Sequence, residues 1–245
     1  MKHIAAWRLL LALAFVLVTV PGRSAVMFDP YRFGINLTFV AGREAGGPSS
    51  MDLPAGSAAG DVVFVVNEAI NTDSTTIPTL TTPTFGSGGA TQLTNDTGSP
   101  SGNVGIRVTV YGKVLNATDV SDGQITNLLS DNADNAIALT FRPDKAITSF
   151  SNAYSGGTMT GGDPADITSS GLTTLAGPVV ILGLFNADTA ITSDTFTPTE
   201  NGEYAPSTSL FVKYRVYNSS PTDTTLAMGD EGARNVLVLS AQQVQ

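Results

Sequence analysis

Five consecutive residues, Val62-Val-Phe-Val-Val66, follow the small-residue entry Leu53-Pro-Ala-Gly-Ser-Ala-Ala-Gly60-Asp61 and end at Asn67-Glu68. β-Branched and aromatic side chains fit a pleated surface better than a helix, and a run bounded this closely by turn residues is too short for a stable helix. No polar residue interrupts it, so it reads as a strand covered on both faces. The rest of the sequence reads as further strands laid around it.

Those further strands show as alternation. Ile35, Leu37 and Phe39 alternate with Asn36, Thr38 and Val40, the pattern of a half-buried strand. Gly105 to Lys113 is the clearest case: Ile106, Val108 and Val110 share one face, and Arg107, Thr109 and Tyr111 share the other, which is expected to face water. Ile137, Leu139 and Phe141 alternate likewise, with Ile147 to Ser151 expected to pair beside them. Asn71 to Thr84, Gly86 to Gly89, Asn95 to Asn103 and Tyr154 to Ser170 are rich in Gly, Pro, Thr or Asn and read as loops, with a short strand near Ile167. Asp131 to Asn135 reads as a turn. The one expected helical turn spans Ser121 to Leu129, with Ser121 as N-cap and Ile125, Leu128 and Leu129 on one side.

The second half echoes the first. Ala176-Gly-Pro-Val-Val180 repeats the entry Ala59-Gly-Asp-Val-Val63, and Leu210 to Tyr217 repeats the alternation of Gly105 to Lys113. Both of these later strands lead to an Asp in a turn, Asp119 and Asp223. Two sheets built from similar halves account for this. Asn235 to Ser240 supplies a final strand. At least eight strands with long polar loops point to an all-β fold, an antiparallel β-sandwich with jelly-roll-like connections, occupying residues 26–245 as a single domain.

Composition narrows the chemistry. The chain has no cysteine, and its sole histidine is His3. A chain that lost residues 1–25 would therefore have neither thiolate nor imidazole, which removes the serine triad in its histidine form, the histidine base and nearly every transition-metal site. The expectation is no enzyme activity, no cofactor and no metal. A net charge of −9 repels phosphate backbones, so nucleic acid is excluded as a partner. Only 13% of residues are charged, so solubility rests on neutral hydroxyl and amide groups, a surface suited to a static particle or an extracellular protein.

The order Ile35-x-Leu-x-Phe39, then Leu53-Pro-Ala-Gly with Ala59-Gly-Asp-Val-Val63, then a Pro- and Thr-rich loop, then Val108-Thr-Val-Tyr-Gly-Lys-Val114, resembles a β-sandwich module recurrent in structural proteins of tailed phages and in some secreted bacterial surface proteins. The entry Met27-Phe-Asp-Pro-Tyr-Arg-Phe-Gly34 resembles the N-terminus of a small virion protein. The resemblance implies a non-enzymatic virion component, namely a capsid decoration, head-fibre or tail-fibre protein. Such a subunit works through contacts with copies of itself and with other virion proteins. It also allows a secreted surface or adhesion protein with a glycan-binding face.

Four residues stand out as candidate binding-loop positions. Tyr154 and Tyr204 offer rings that stack on sugars. Asp131 and Asp134, with Asn132 and Asn135, offer oxygens for calcium but lack the EF-hand pattern and its closing Glu, and turns are the ordinary home of such residues. A carbohydrate-active enzyme would need two facing carboxylates, with Glu68 set against Glu203 or Asp61.

Residues 1–25 stand apart. Lys2 and Arg8 precede the apolar run Leu9 to Val20, and Pro21, Gly22, Ser24 and Ala25 follow, the order of a signal peptide with a short hydrophobic helix. Three readings stay open: a cleaved leader, a retained anchor that is the chain's one membrane contact, and an extension upstream of a true start at Met27. Mass spectrometry of native material separates them, with a first residue near Val26, at Met1 or at Met27 respectively.

Overall fold

The computed structural model describes residues 34–245 except 48, 101, 129–132, 148, 208, 230 and 231, so the leader and its expected helix lie outside the described residues. The first half of the described chain runs through β1 (Leu37–Gly46), β2 (Ser50–Asp52), β3 (Val62–Asn71), β4 (Thr84–Phe85), β5 (Gly88–Gly89), β6 (Thr91–Gly98), β7 (Gly105–Val114), the helix α1 (Ala117–Asp122), β8 (Gln124–Thr126) and β9 (Ala133–Pro143). The second half runs through β10 (Phe150–Thr160), β11 (Ile167–Thr168), β12 (Val179–Asn186), β13 (Asp194–Thr197), β14 (Gly202–Ser207), β15 (Leu210–Tyr217), β16 (Thr225–Met228) and β17 (Asn235–Val244). All named strands pair antiparallel, and the fold is all-β.

The two halves follow one path. Each has a five-stranded main sheet, ordered β1-β9-β3-β7-β6 in the first half and β10-β17-β12-β15-β14 in the second. Each also has a small sheet, β2-β8-β4-β5 or β11-β16-β13. In both, the opening strand pairs with the last, the second with the next to last, and the third with the one before that. The half-to-half echo in the sequence is thus a repeat of strand order.

Its register, however, is shifted by one residue. Matching the two Ala-Gly-x-Val-Val entries equates Val62 with Val179. Yet Val62 faces the core shared by both main sheets, whereas Val179 faces the small sheet of its own half. By the face it presents, Val62, opposite Val114, corresponds to Val180, opposite Val216. A one-residue slip turns every side chain to the other face, so the echo marks the strand but not its register.

Side chains from the two main sheets form one cluster that includes Val62, Phe64 and Val66 of β3, Leu139 and Phe141 of β9, Val180, Leu182 and Leu184 of β12, and Val212 of β15. The opposite face of each main sheet packs on its small sheet: Val63, Val65 and Tyr111 with Met51, Phe85 and Ile125 in the first half, and Ile181, Phe185 and Leu239 with Ile167, Phe196 and Leu226 in the second. That explains the unbroken run. Val62, Val63, Phe64 and Val65 are fully buried because the strand has a core on each side. It also corrects the expected wet face of β7, where Thr109 and Tyr111 are buried, Tyr111 against the small sheet, and Arg107 alone of the three is half-exposed.

Several segments differ from expectation: Asn95 to Gly98 closes β6 and Ala133 to Asn135 opens β9, where a loop and a turn were expected. Tyr154 to Thr160 belongs to β10, where Gly156 and Gly157 make room for Tyr154 and Asp96 and do not mark a turn. Phe150 opens β10 beside β17, so Ile147 to Ser151 does not pair with β9, which lies between β1 and β3. The helix starts earlier than Ser121, because Asn116 accepts from Thr118 and Asp119 while Asp119 accepts from Asn116, a reciprocal cap; Gly123, at φ 70°, ends it. Ile125 is then free to fill the first half's outer core from β8.

Phe64 is buried in the shared cluster with Phe141 at 5.9 Å and Phe150 at 6.0 Å between ring centres. Phe64→Ala is expected to cost about 3–5 kcal/mol, read as a lower urea midpoint at unchanged slope. A loss under about 1 kcal/mol would mean that the two sheets do not pack on this ring.

Candidate functional site

The structure does not gather the four candidate residues. Tyr204 lies on β14 and Tyr154 on β10, the opposite edges of one main sheet, four strand spacings or about 19 Å apart. Asp134 falls in β9 where its register against β3 steps between the pairs Glu68–Asn135 and Ala69–Ala133. Asp131 lies outside the described residues.

Both tyrosines are half-buried and rest on glycines. Tyr204 covers Gly42 of β1 so closely that a Cβ there would fall 2.2 Å from a ring carbon. Its ring is 6.1 Å from Phe39, which stacks on Tyr214 at 4.7 Å, and Tyr214 meets Phe141 edge-on at 5.6 Å. Tyr204 is thus the outer end of an aromatic row that enters the shared core. Burial, and then Tyr204, push the Tyr214 hydroxyl above its ordinary value. The Tyr154 hydroxyl lies 2.7 Å from where a Cβ on Gly156 would stand.

Among the described residues, the densest charged cluster centres on Lys213 of β15, whose side chain is 8% exposed. Its ammonium is 2.9 Å from Asp194, 3.4 Å from Glu203 and 3.6 Å from Glu200, and 5.6 Å from the centre of the Phe185 ring. Burial works against the charge, but the three carboxylates outweigh it and raise the lysine above its ordinary value. An ammonium held charged in this way is a poor base and a poor nucleophile. Its role here is to tie the β13–β14 segment onto β15, helped by Arg215, which donates to the Thr199 carbonyl, and by Asn201, which accepts from the Val216 amide at 2.6 Å. Sequence pattern alone hid this cluster, because Lys213 falls where an alternating strand would meet water, and the small sheet that covers it is built from short strands.

Other carboxylates are also engaged. Asp61, 2% exposed, accepts from Arg142 through both oxygens at 2.8 Å and from the Ala58 amide at 2.7 Å, closing the turn into β3. Asp119 is buried, and the amides of Asn116 and Ser87 together with Lys113 hold it below the ordinary carboxylate value despite its burial. Glu68 accepts from Asn135 at 3.2 Å. Seven residues of extended chain, about 23 Å, separate Asp61 from Glu68, and Glu203 is drawn to Lys213. Among the described residues, no group of three or more His, Cys, Asp or Glu side chains is arranged to hold a metal ion. No protein-family model, curated protein or solved structure matches this chain.

Lys213→Met leaves three carboxylates facing one another. It is expected to cost about 1–3 kcal/mol, below the figure for a fully buried pair because Glu200 and Glu203 are partly in water. A raised lysine contributes fully below its unfolded value and loses that contribution as pH rises through the folded one. The gap between wild type and variant should therefore narrow in melts above the ordinary value of 10.5. A gap that stays constant through strongly alkaline pH would contradict the ion cluster.

Proposed function

We propose that this chain is a non-enzymatic structural subunit of a phage particle, a capsid decoration, head-fibre or tail-fibre component that works through contacts with copies of itself and with other virion proteins. The observation that carries the reading is the repeated strand path whose two main sheets share one core. Pairing first strand with last, second with next to last and third with the one before is the wiring of a jelly roll, so each half reads as a jelly roll and the pair as a sandwich of their main sheets. Jelly rolls recur in capsid proteins, and fold by itself assigns no activity. The engagement of Lys213, Asp61 and Asp119 in cross-links between elements supports a load-carrying role.

A second reading rests on the half-exposed rings of Tyr154 and Tyr204: a secreted or cell-surface protein that binds glycan through an edge of the second half. Purified particles and cell fractions decide between the two. The virion reading expects the chain in particles at a fixed copy number relative to the shell protein. Recovery only from the cell surface or medium, with glycan binding weakened by Tyr204→Ala, would replace it with the second reading. Turnover of a glycan would contradict both.

A further inference from the structure

The halves meet along two edges that occupy equivalent places in the repeat. At one edge β1 of the first half lies beside β14 of the second, and at the other β10 of the second lies beside β6 of the first. Exchanging the halves exchanges the edges. Their chemistry is nonetheless different.

The β1–β14 edge is closed by rings, with Tyr204 on Gly42 and Phe39 stacked on Tyr214. The β6–β10 edge is closed by polar groups. Thr94 and Ser240 share a hydrogen bond of 2.7 Å, and the Gln242 amide donates to Ser240 at 2.8 Å and to Asn152 at 2.9 Å. Asp96 stands in this edge. It lies opposite Val108, which faces the shared core, and points across at Gly157, which lies opposite Val238, another core residue. A Cβ on Gly157 would be 2.9 Å from the Asp96 carboxyl carbon. The Asp96 Oδ2 atom is buried and has no hydrogen-bond partner among the described residues.

Among the described residues, no cation on the neighbouring strands answers it. β10 contains no Asp, Glu, Lys or Arg, and its one titratable group, Tyr154, packs on the second half's outer core. β17 has no charged residue. On β7, Arg107, Tyr111 and Lys113 alternate with the core-facing Ile106, Val108 and Val110 and so lie on the other face; Lys113 is held by Gly88 and Asp119. Asp96 is the one charged group on β6 itself. Asp96 is half-exposed, but an ionised carboxylate with one oxygen buried without a donor still carries part of its desolvation penalty, which a proton removes. Burial accordingly pushes the Asp96 carboxyl above its ordinary value.

We propose that the β6–β10 edge is a pH-dependent joint between the two halves, weakened while Asp96 is ionised and tightened when it takes up a proton. Such a carboxyl binds more protons folded than unfolded. Folding therefore gains stability as pH falls through the folded value, and the gain is complete below the unfolded value near 3.8. The β1–β14 edge lacks this dependence, because its closing contacts are rings.

Asp96→Asn keeps the shape and removes the charge. At about pH 8 the variant is expected to melt about 2–4 °C above wild type, and the difference should narrow as pH falls through the folded value and close below 3.8. Hydrogen exchange, corrected for intrinsic rates, should show the gain at Thr91–Gly98 and Phe150–Thr160 and not at Leu37–Gly46 or Gly202–Ser207. Parallel melting curves, or a gain spread equally over both edges, would overturn the joint. Should the variant fail to fold, a carbon NMR titration of the wild-type Asp96 carboxyl decides: a midpoint above 3.8 upholds the proposal and one at or below it does not.

Discussion

A strand with a hydrophobic core on each side must be apolar at every position, and it must find hydrogen-bonding strands on both flanks. The Val62–Val66 part of β3 meets that demand in the first half and the Val179–Phe185 part of β12 in the second: Val62 to Val65 and Val179 to Ile181 are fully buried, and each strand sits at the centre of its main sheet. Burying a side chain of this size contributes about 1.5–3 kcal/mol, so these two strands are where the stability of the chain is concentrated. Everything else is placed by them. Among the described residues, the charged groups that stay buried, Asp61, Glu68, Asp119 and Lys213, are held by ion pairs, backbone amides or, for Glu68, the Asn135 side-chain amide.

The repeat in strand order is not a repeat in side chains. Val62 corresponds to Val180, yet opposite them stand Phe141 in the first half and Gln242 in the second. The last strand of the second half thus brings Ser240 and Gln242 to the face that Leu139 and Phe141 present in the first. One edge of the shared core is accordingly aromatic and the other polar, although the backbone path that builds them is the same. Two halves that share a core need not be identical: buried Ser240 finds a partner across the seam in Thr94, and buried Gln242 finds its partners, Ser240 and Asn152, within its own half.

Much of this was legible in the residues themselves. The Val62–Val66 run gave away a strand with two covered faces, and alternation in Gly105 to Lys113 and in Ile137 to Phe141 located β7 and β9. The two Ala-Gly-x-Val-Val entries pointed to similar halves. Glycine misled. In Tyr154 to Thr160 it serves as space for Tyr154 and Asp96 from within a strand, a use that depends on what lies across the seam and so leaves no local mark. The small sheets misled too: β2, β4, β5, β8 and β11 have two or three residues each and β13 four, too few to show alternation, yet they dry the outer faces of the main sheets, covering Tyr111 in the first half and, through Asp194 of β13, Lys213 in the second. Of the candidate site, the tyrosines were identified by type, while the Lys213 cluster draws on β13, β14 and the segment between them, a convergence that sequence distance conceals.

The central claim is that the two halves unfold as one unit because their main sheets share a core. Native-state hydrogen exchange across a denaturant series tests it most directly. A shared core predicts that the slowest amides of β3 and β12 exchange through the same opening, with one free energy and one denaturant slope. Exchange of β12, β15 and β17 through a cheaper opening that leaves β3, β7 and β9 protected would contradict it.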